Sequence, residues 1–201
     1  MTDKPSEAPA RGRSRGRPRG FDPDAVLKAA SERFRTQGYA ATSLDDLVEA
    51  TGLARPSLYA AFGDKRALYL AALARVSARA ERGFDAIAAQ GLELRKLVEI
   101  MLMFTIDGYL SGEKGPSGCL AVSTASAESA SDPQVRAALA DFLAMEDRRI
   151  EELLAAAGSA HPAAHARIVA AVIHSLSVRA RAGEPREALE QIARDCAALV
   201  A

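Results

Sequence analysis

The sequence predicts an all-α protein of about nine helices, and three observations predict it. Apolar residues make up 49% of the 201 positions, yet much of that is alanine and aromatics are only 5%. Alanine is the strongest helix former and lets helices approach closely, whereas strands favour β-branched and aromatic side chains. Apolar residues recur at helical spacing in one segment after another. Those segments are bounded by helix punctuation, with Asp-Pro or a hydroxyl residue at the starts and glycine at the ends. The length allows one or two domains with a sizeable core.

Residues 1–20 are rich in Pro, Gly, Ser and Arg with almost nothing to bury, and read as a disordered arm. Order is expected to begin at Asp22-Pro23, a favoured cap followed by a proline preset for the first turn. Val26, Ala30 and Phe34 form the apolar face of this first helix, with Lys28, Glu32 and Arg35 mostly opposite, and Gly38 stops it. The second helix opens at Thr42 or Ser43. Each is followed three residues later by an aspartate, Asp45 or Asp46, in a capping-box-like pattern. Leu44, Leu47 and Val48 supply its apolar face and Gly52 ends it. The third runs from about Arg55 to Phe62, with Leu58 and Phe62 facing the core at i and i+4. Gly63-Asp64 makes a turn with Asp64 as cap, and a fourth helix continues from Lys65 into the 80s. Further helices are expected near 92–111, 118–128, 133–157, 162–182 and 185–200. Asp132-Pro133 repeats the cap-plus-proline start, and Gly183 with Pro185 marks a break between the last two.

The stretch TSLDDLVEATGLARPSLYAAFGDK, Thr42 to Lys65, is two short helices joined by a glycine-containing turn and followed at once by a third helix. That is how a helix-turn-helix is written, and it points to double-stranded DNA. Arg55, Ser57 and Tyr59 lie near the start of the third helix, away from the Leu58 face. A helix entering the major groove end-first reads bases with such residues, and arginine can bond a guanine edge bidentately. Thr42, Ser43 and Lys65 sit at helix starts, where free N–H groups favour a phosphate. Formal net charge is zero, but residues 1–20 carry six cations against Asp3 and Glu7, so a basic arm precedes a mildly acidic body. Arg11, Arg13, Arg15, Arg17 and Arg19 alternate. In an extended chain alternate residues lie about 7 Å apart on one side, which suits successive phosphates or a narrow minor groove. Arg15-Gly16-Arg17-Pro18 also resembles the core of an AT-hook. A solubilising tail with unspecific DNA affinity is the alternative.

Other classes are disfavoured. Cys119 and Cys196 are far apart, giving neither a disulfide framework nor a zinc spacing, and fit a reducing cytoplasm. His161, His165 and His174 show no metal-ligand spacing, so neither metal nor cofactor is expected. The N-terminus lacks the apolar run of a signal peptide, and no apolar run approaches the ~18–20 residues of a membrane span. No nucleophile elbow, phosphate loop, HExxH or carboxylate constellation marks an enzyme.

Phe34, Gly38-Tyr39, Ala41-Thr42-Ser43, Leu47, Ala50, Gly52-Leu53, Ser57-Leu58-Tyr59, Phe62 and Asp64-Lys65-Arg66 stand at fixed spacing over residues 22–70. This pattern resembles the DNA-binding domain of the tetracycline-repressor (TetR) family of transcription regulators. The later part resembles members with a Gly-Cys-Leu motif, here Gly118-Cys119-Leu120. The resemblance implies a DNA-binding domain at 21–68 and a helical effector-binding and dimerisation domain at 69–201. It implies that Tyr59 and Lys65 touch phosphates. Ala54 departs from it, because the family usually has a serine or similar cap there, worth roughly 1 kcal/mol. Pro56 in the first turn partly offsets the loss by presetting φ.

The family's effector pocket lies among the central helices, and Met101, Met103, Phe104, Tyr109, Phe142 and Met145 are the bulky candidates to line it; ordinary core packing is the alternative for each. Methionine adapts to an apolar, variably shaped ligand. Cys119, near the start of a short helix, reads either as a thiol activated by that helix end or as a small buried packing residue. Leu189, Ile192, Cys196 and Leu199 fall at 3-4-3 spacing, and Ile168, Val172 and Leu176 mark a stripe on the preceding helix. By the resemblance these form a four-helix dimer seam; alternatively they pack on their own subunit. Two-fold symmetry implies a (pseudo)palindromic operator. The function expected is a dimeric repressor released from DNA by a small apolar effector. The alternative is an effector-independent architectural protein that uses the arginine arm on A·T-rich DNA.

Overall fold

The computed structural model describes residues 20–112 and 115–201, and every regular element among them is helical. Helix α1 spans Pro23–Gln37, α2 Leu44–Thr51, α3 Arg55–Phe62 and α4 Lys65–Ala88. The body adds α5, Leu94–Leu110, a π-helical turn at Ala121–Ala125 that runs into the short α6, Ser126–Glu128, and then α7, Pro133–Ala156. Helices α8, Pro162–Arg181, and α9, Arg186–Val200, complete it.

Local chemistry sets the helix starts. Asp22, Asp64 and Asp132 each accept a hydrogen bond from a first-turn N–H, at 2.9, 2.7 and 2.9 Å. Of the two hydroxyl candidates for α2, Ser43 is the cap. Its hydroxyl accepts from the Asp46 N–H at 3.1 Å while the Asp46 carboxylate accepts from the Ser43 N–H at 2.8 Å. Ala54 leaves α3 without a side-chain cap.

Two packing units share α4. Its first half packs on α1 and α3, and its later part on α7. In the first unit Phe34, Leu47, Leu58 and Tyr69 are buried, with the Phe34 ring edge-on to Tyr69 at 5.1 Å and Tyr39 against Tyr69 at 4.7 Å. In the body α5 packs on α8 and α9, and α7 on α8. The two cores are continuous.

Three expectations are corrected. The 118–128 segment is not one regular helix. The Thr124 and Ser126 hydroxyls donate to the Leu120 and Val122 carbonyls four residues back, at 2.7 and 2.8 Å, competing with the backbone ladder and loosening it. Thr42 is fully buried: its hydroxyl donates to the Gly38 carbonyl at 2.6 Å and its N–H to the Tyr39 carbonyl at 3.3 Å, so it closes the α1–α2 turn and presents no side chain to a phosphate. The apolar stripes of α8 and α9 also split. Leu176, Leu189 and Cys196 are buried within their own chain, Val172 and Ile192 are half-buried, and Ile168 and Leu199 are exposed. On α9 the inward face is Leu189, Ala193, Cys196, Ala197 and Val200, and Ile192 and Leu199 fall to one side of it at about 100° per residue.

Gly118 is required where α8 meets the loop. Its φ is +65°, and a Cβ there would lie 2.7 Å from the Ser177 carbonyl oxygen. The close approach lets the Ser177 hydroxyl accept from the Cys119 N–H at 2.8 Å. Gly118→Ala is expected to cost about 2–5 kcal/mol, combining left-handed backbone strain with overpacking. Gly52→Ala has a similar φ of +67° and open space around it, so it should cost only the backbone part, about 1–2 kcal/mol. Urea unfolding of both variants measures the difference, and equal losses would refute the close approach.

Candidate DNA-reading face and body cavity

Helix α3 turns Leu58 inward and leaves Arg55, Pro56, Ser57 and Tyr59 exposed. These four form a contiguous outer surface at its N-terminal end. The Arg55 guanidinium rests on the Asp45 carboxylate of α2 at 2.6 Å, with both side chains largely in solvent. Ser43 stands exposed at the start of α2. Lys65 stands at the start of α4, its ammonium 4.4 Å from the centre of the Tyr39 ring, which orients it. The part of Tyr39 follows from the turn geometry and not from any helix pattern. Arg11, Arg13, Arg15, Arg17 and Arg19 lie outside the described residues.

The reading unit is tied to the body at a polar joint. Arg35, near the end of α1, donates to the Gly108 carbonyl of α5 at 3.1 Å and the Gly118 carbonyl at 3.2 Å, and pairs with Glu32 at 2.6 Å. Arg181 of α8 donates back to the Arg35 carbonyl at 2.6 Å. Arg66 holds Asp132 through two hydrogen bonds, which lowers that carboxyl to about 2. The Tyr69 hydroxyl meets the Thr124 hydroxyl at 2.7 Å, linking α4 to the π-helical turn.

A cavity of about 640 Å³ opens beside this joint, between α1, α4, α5, α7 and α8. Met101, Phe104, Tyr109, Cys119 and Phe142 line it, and Phe104 is exposed. Met145 does not line it. Met145 is buried in the core to one side of the Phe142–Glu146 face of α7, and Met103 on α5 is half-buried outside the cavity lining. The polar lining was not foreseen: Arg35 and Glu32 from α1, Arg75 and Arg79 from α4, and Glu146 from α7. Glu146 is only 5% exposed, and one of its oxygens lies 2.6 Å from His174 Nε2. Burial pushes the Cys119 thiol up to about 11, outweighing hydrogen bonds from the Ala121 and Val122 amides. The thiol is therefore protonated at neutral pH, on the packing side of the two readings rather than the activated one.

An exposed reading helix carried on a capped helix-turn-helix, joined through a shared helix to a hollow helical body, defines a helix-turn-helix transcription regulator. Residues 26–72 match the family model described as bacterial regulatory proteins, tetR family, and residues 93–199 match the tetracyclin repressor-like C-terminal domain. The chain is 35% identical over 191 residues to the HTH-type transcriptional repressor ComR of Escherichia coli strain K12, covering 90% of each. A cysteine variant of the TetR family transcriptional regulator CifR, solved with 26-base-pair double-strand operator DNA, superposes with a TM-score of 0.76 at 30% identity, covering 90% of this chain and 98% of that one. Regulatory protein TetR from Rhodobacter sphaeroides shares the fold, with a TM-score of 0.77 at 21% identity over 87% of this chain and 96% of that one. The chain belongs to the TetR family of bacterial transcription regulators, which are not enzymes.

The Glu146–His174 pair makes stability depend on pH. The hydrogen bond from Glu146 raises the His174 pKa against the opposing effect of burial. An unperturbed imidazole titrates near about 6.5. The stabilisation is therefore complete below that value and is lost as pH rises through the higher folded value. Thermal unfolding of wild type and His174→Gln from about pH 5 to 9 should show the largest gap at the acid end, narrowing as pH rises. A gap that stays constant would show that the pair does not titrate in this range.

Proposed function

We propose that the protein is a dimeric, effector-responsive repressor acting on DNA in the cytoplasm, with the 21–68 unit reading DNA and the 69–201 body holding the effector and the dimer contact. The observation that carries this reading is the shared wall. Helix α1 belongs to the DNA-reading unit, yet its Glu32 and Arg35 line the body cavity. A ligand there touches the reading unit directly. ComR is named a repressor and CifR was solved on operator DNA, which supports the same assignment for this chain. Exposed Ile168 and Val178 on α8 and Leu199 on α9 offer the apolar surface for a second copy. Two copies related by a two-fold axis would set the α3 helices about one DNA turn apart on a (pseudo)palindromic operator. Occupancy of the cavity would shift their separation, and by linkage DNA would weaken effector binding by the same factor. The alternative of an effector-independent architectural protein gives the cavity no use.

Operator binding tests the reading. Footprinting on DNA flanking the gene should give one short palindromic site, whereas broad A·T-rich coverage would favour the architectural protein. On that site Arg55→Ala should weaken affinity by about 1–3 kcal/mol, roughly 5- to 150-fold. Arg95→Ala, exposed on α5, should leave affinity unchanged. Unaltered affinity in Arg55→Ala would remove Arg55 from the reading face.

The arginine arm makes a separate prediction. Removing residues 1–19 should weaken binding and flatten its salt dependence, since up to about five phosphate-directed charges are lost. Fluorescence anisotropy over a salt series measures the slope, and an unchanged slope would exclude contact between arm and DNA.

A further inference from the structure

The cavity's polar groups are unevenly placed, and the unevenness selects a ligand. Its walls include Phe84, Phe104 and Phe142, so most of any occupant must be apolar and flat surfaces are favoured. One buried group is incompletely used. Glu146 is 95% withdrawn from solvent and lines the cavity; one carboxylate oxygen is held by His174, and the other has no hydrogen-bond partner among the described residues. A ligand that covers this oxygen without donating to it would leave a carboxylate oxygen desolvated and unpaired, which is costly. Tyr109 is on the same wall, and its hydroxyl also has no partner among the described residues. Tyr109, Cys119 and Glu146 line the same cavity, and burial raises the Tyr109 phenol well above its ordinary pKa, so it stays a hydrogen-bond donor.

The charges exclude other ligand classes. A carboxylate cannot approach the open oxygen of Glu146 without like-charge repulsion in a poorly solvated site. An organic cation finds Glu146 already paired with His174 and must pass Lys28 and Arg79, which line the cavity and form no ion pair among the described residues. Arg75 and Arg35 are committed to Asp24 and Glu32. A plain hydrocarbon leaves both polar groups unsatisfied. A hydroxyl supplies one donor and two acceptor lone pairs on a single atom, so it can donate to Glu146 and accept from Tyr109 at once.

We propose that the cavity binds an uncharged, largely apolar molecule bearing a hydroxyl, a phenol or an alcohol, with that hydroxyl donating to the open oxygen of Glu146 and accepting from Tyr109. This rests on reading the cavity as the effector site and names the chemistry of its occupant.

The test is isothermal titration of the full-length protein with three probes of one shape: β-naphthol, β-naphthoate and β-methylnaphthalene. β-Naphthol should bind about ten-fold or more tightly than β-methylnaphthalene, because a hydrogen bond to a buried carboxylate replaces an unpaired one. β-Naphthoate should bind more weakly than β-naphthol. Glu146→Leu should erase the preference for β-naphthol over β-methylnaphthalene. Tyr109→Phe, which leaves the Glu146–His174 pair in place, should reduce that preference and serves if Glu146→Leu does not fold. Tightest binding of β-naphthoate would overturn the inference in favour of recognition by the cationic rim. A preference unchanged in the variants would overturn it too, and both results would leave the effector-site reading standing. Failure of all three probes to bind, with operator binding intact, would overturn the effector-site reading together with the inference.

Discussion

The guanidinium of Arg35 joins the first helix of the reading unit to two parts of the body. It donates to the Gly108 carbonyl in the last turn of α5 and to the Gly118 carbonyl in the loop that follows, while Glu32 fixes it from its own helix. The last carbonyls of a helix have no intrahelical donor, so α5 ends on groups that must find partners elsewhere. Arg35 supplies one, and Arg181 completes the arrangement by donating to the Arg35 carbonyl at the frayed end of α1. With its side chain only 16% exposed, Arg35 works in a setting where a charge-assisted hydrogen bond is strong and its loss is expensive. Arg35 and the carbonyls it satisfies are therefore one of the polar ties that set how the reading unit meets the body.

The rest of the joint is polar as well. Arg66 with Asp132 and Tyr69 with Thr124 tie α4 to the segment around the π-helical turn, and that turn is the least regular backbone in the body. Apolar packing is bistable only when a whole interface shifts, whereas hydrogen bonds exchange partners over small distances. The molecule places close-packed aromatic contacts inside the reading unit, Phe34 on Tyr69 on Tyr39, and exchangeable polar contacts between that unit and the body. Such a division seats the reading helix on a close-packed scaffold and leaves the contacts that join this scaffold to the body polar.

Much of the architecture was legible in the sequence because it is local. Asp22, Asp64 and Asp132 cap helices through bonds that span two or three residues, and the Ser43–Asp46 box is equally short in range. What escaped depends on distant parts of the chain. Nothing near Thr42 announces that its hydroxyl is swallowed by the preceding turn. Glu146 sits in a run of charged residues on α7 and looks solvated, until α8 brings His174 to it from 28 residues away. The 3-4-3 stripe of α9 is a genuine helical face, but periodicity states only that a face is apolar. Which neighbour covers it is decided by α5 and α8, and they cover Leu189 and Cys196 while leaving Leu199 in solvent. Cys119 followed the same rule, since the helix start beside it was local and visible, whereas the burial that overrides it was not.

Arg55 and Arg35 show how burial assigns opposite work to the same side chain. Both are held by a carboxylate at 2.6 Å. The Arg55–Asp45 pair stands in water, with side chains 51% and 84% exposed, and such pairs are worth about 0–1 kcal/mol. Asp45 thus holds Arg55 outward from α3 at almost no cost of release, which leaves the guanidinium free to take a bidentate partner. Arg35 has less freedom, because leaving its place takes the side-chain donor from the Gly118 carbonyl in a poorly solvated joint, while the Gly108 carbonyl keeps the Ser111 hydroxyl. One arginine is poised to change partners and the other to keep them. The same ion-pair chemistry thus serves an open surface in one place and a poorly solvated joint in the other, and burial alone decides which.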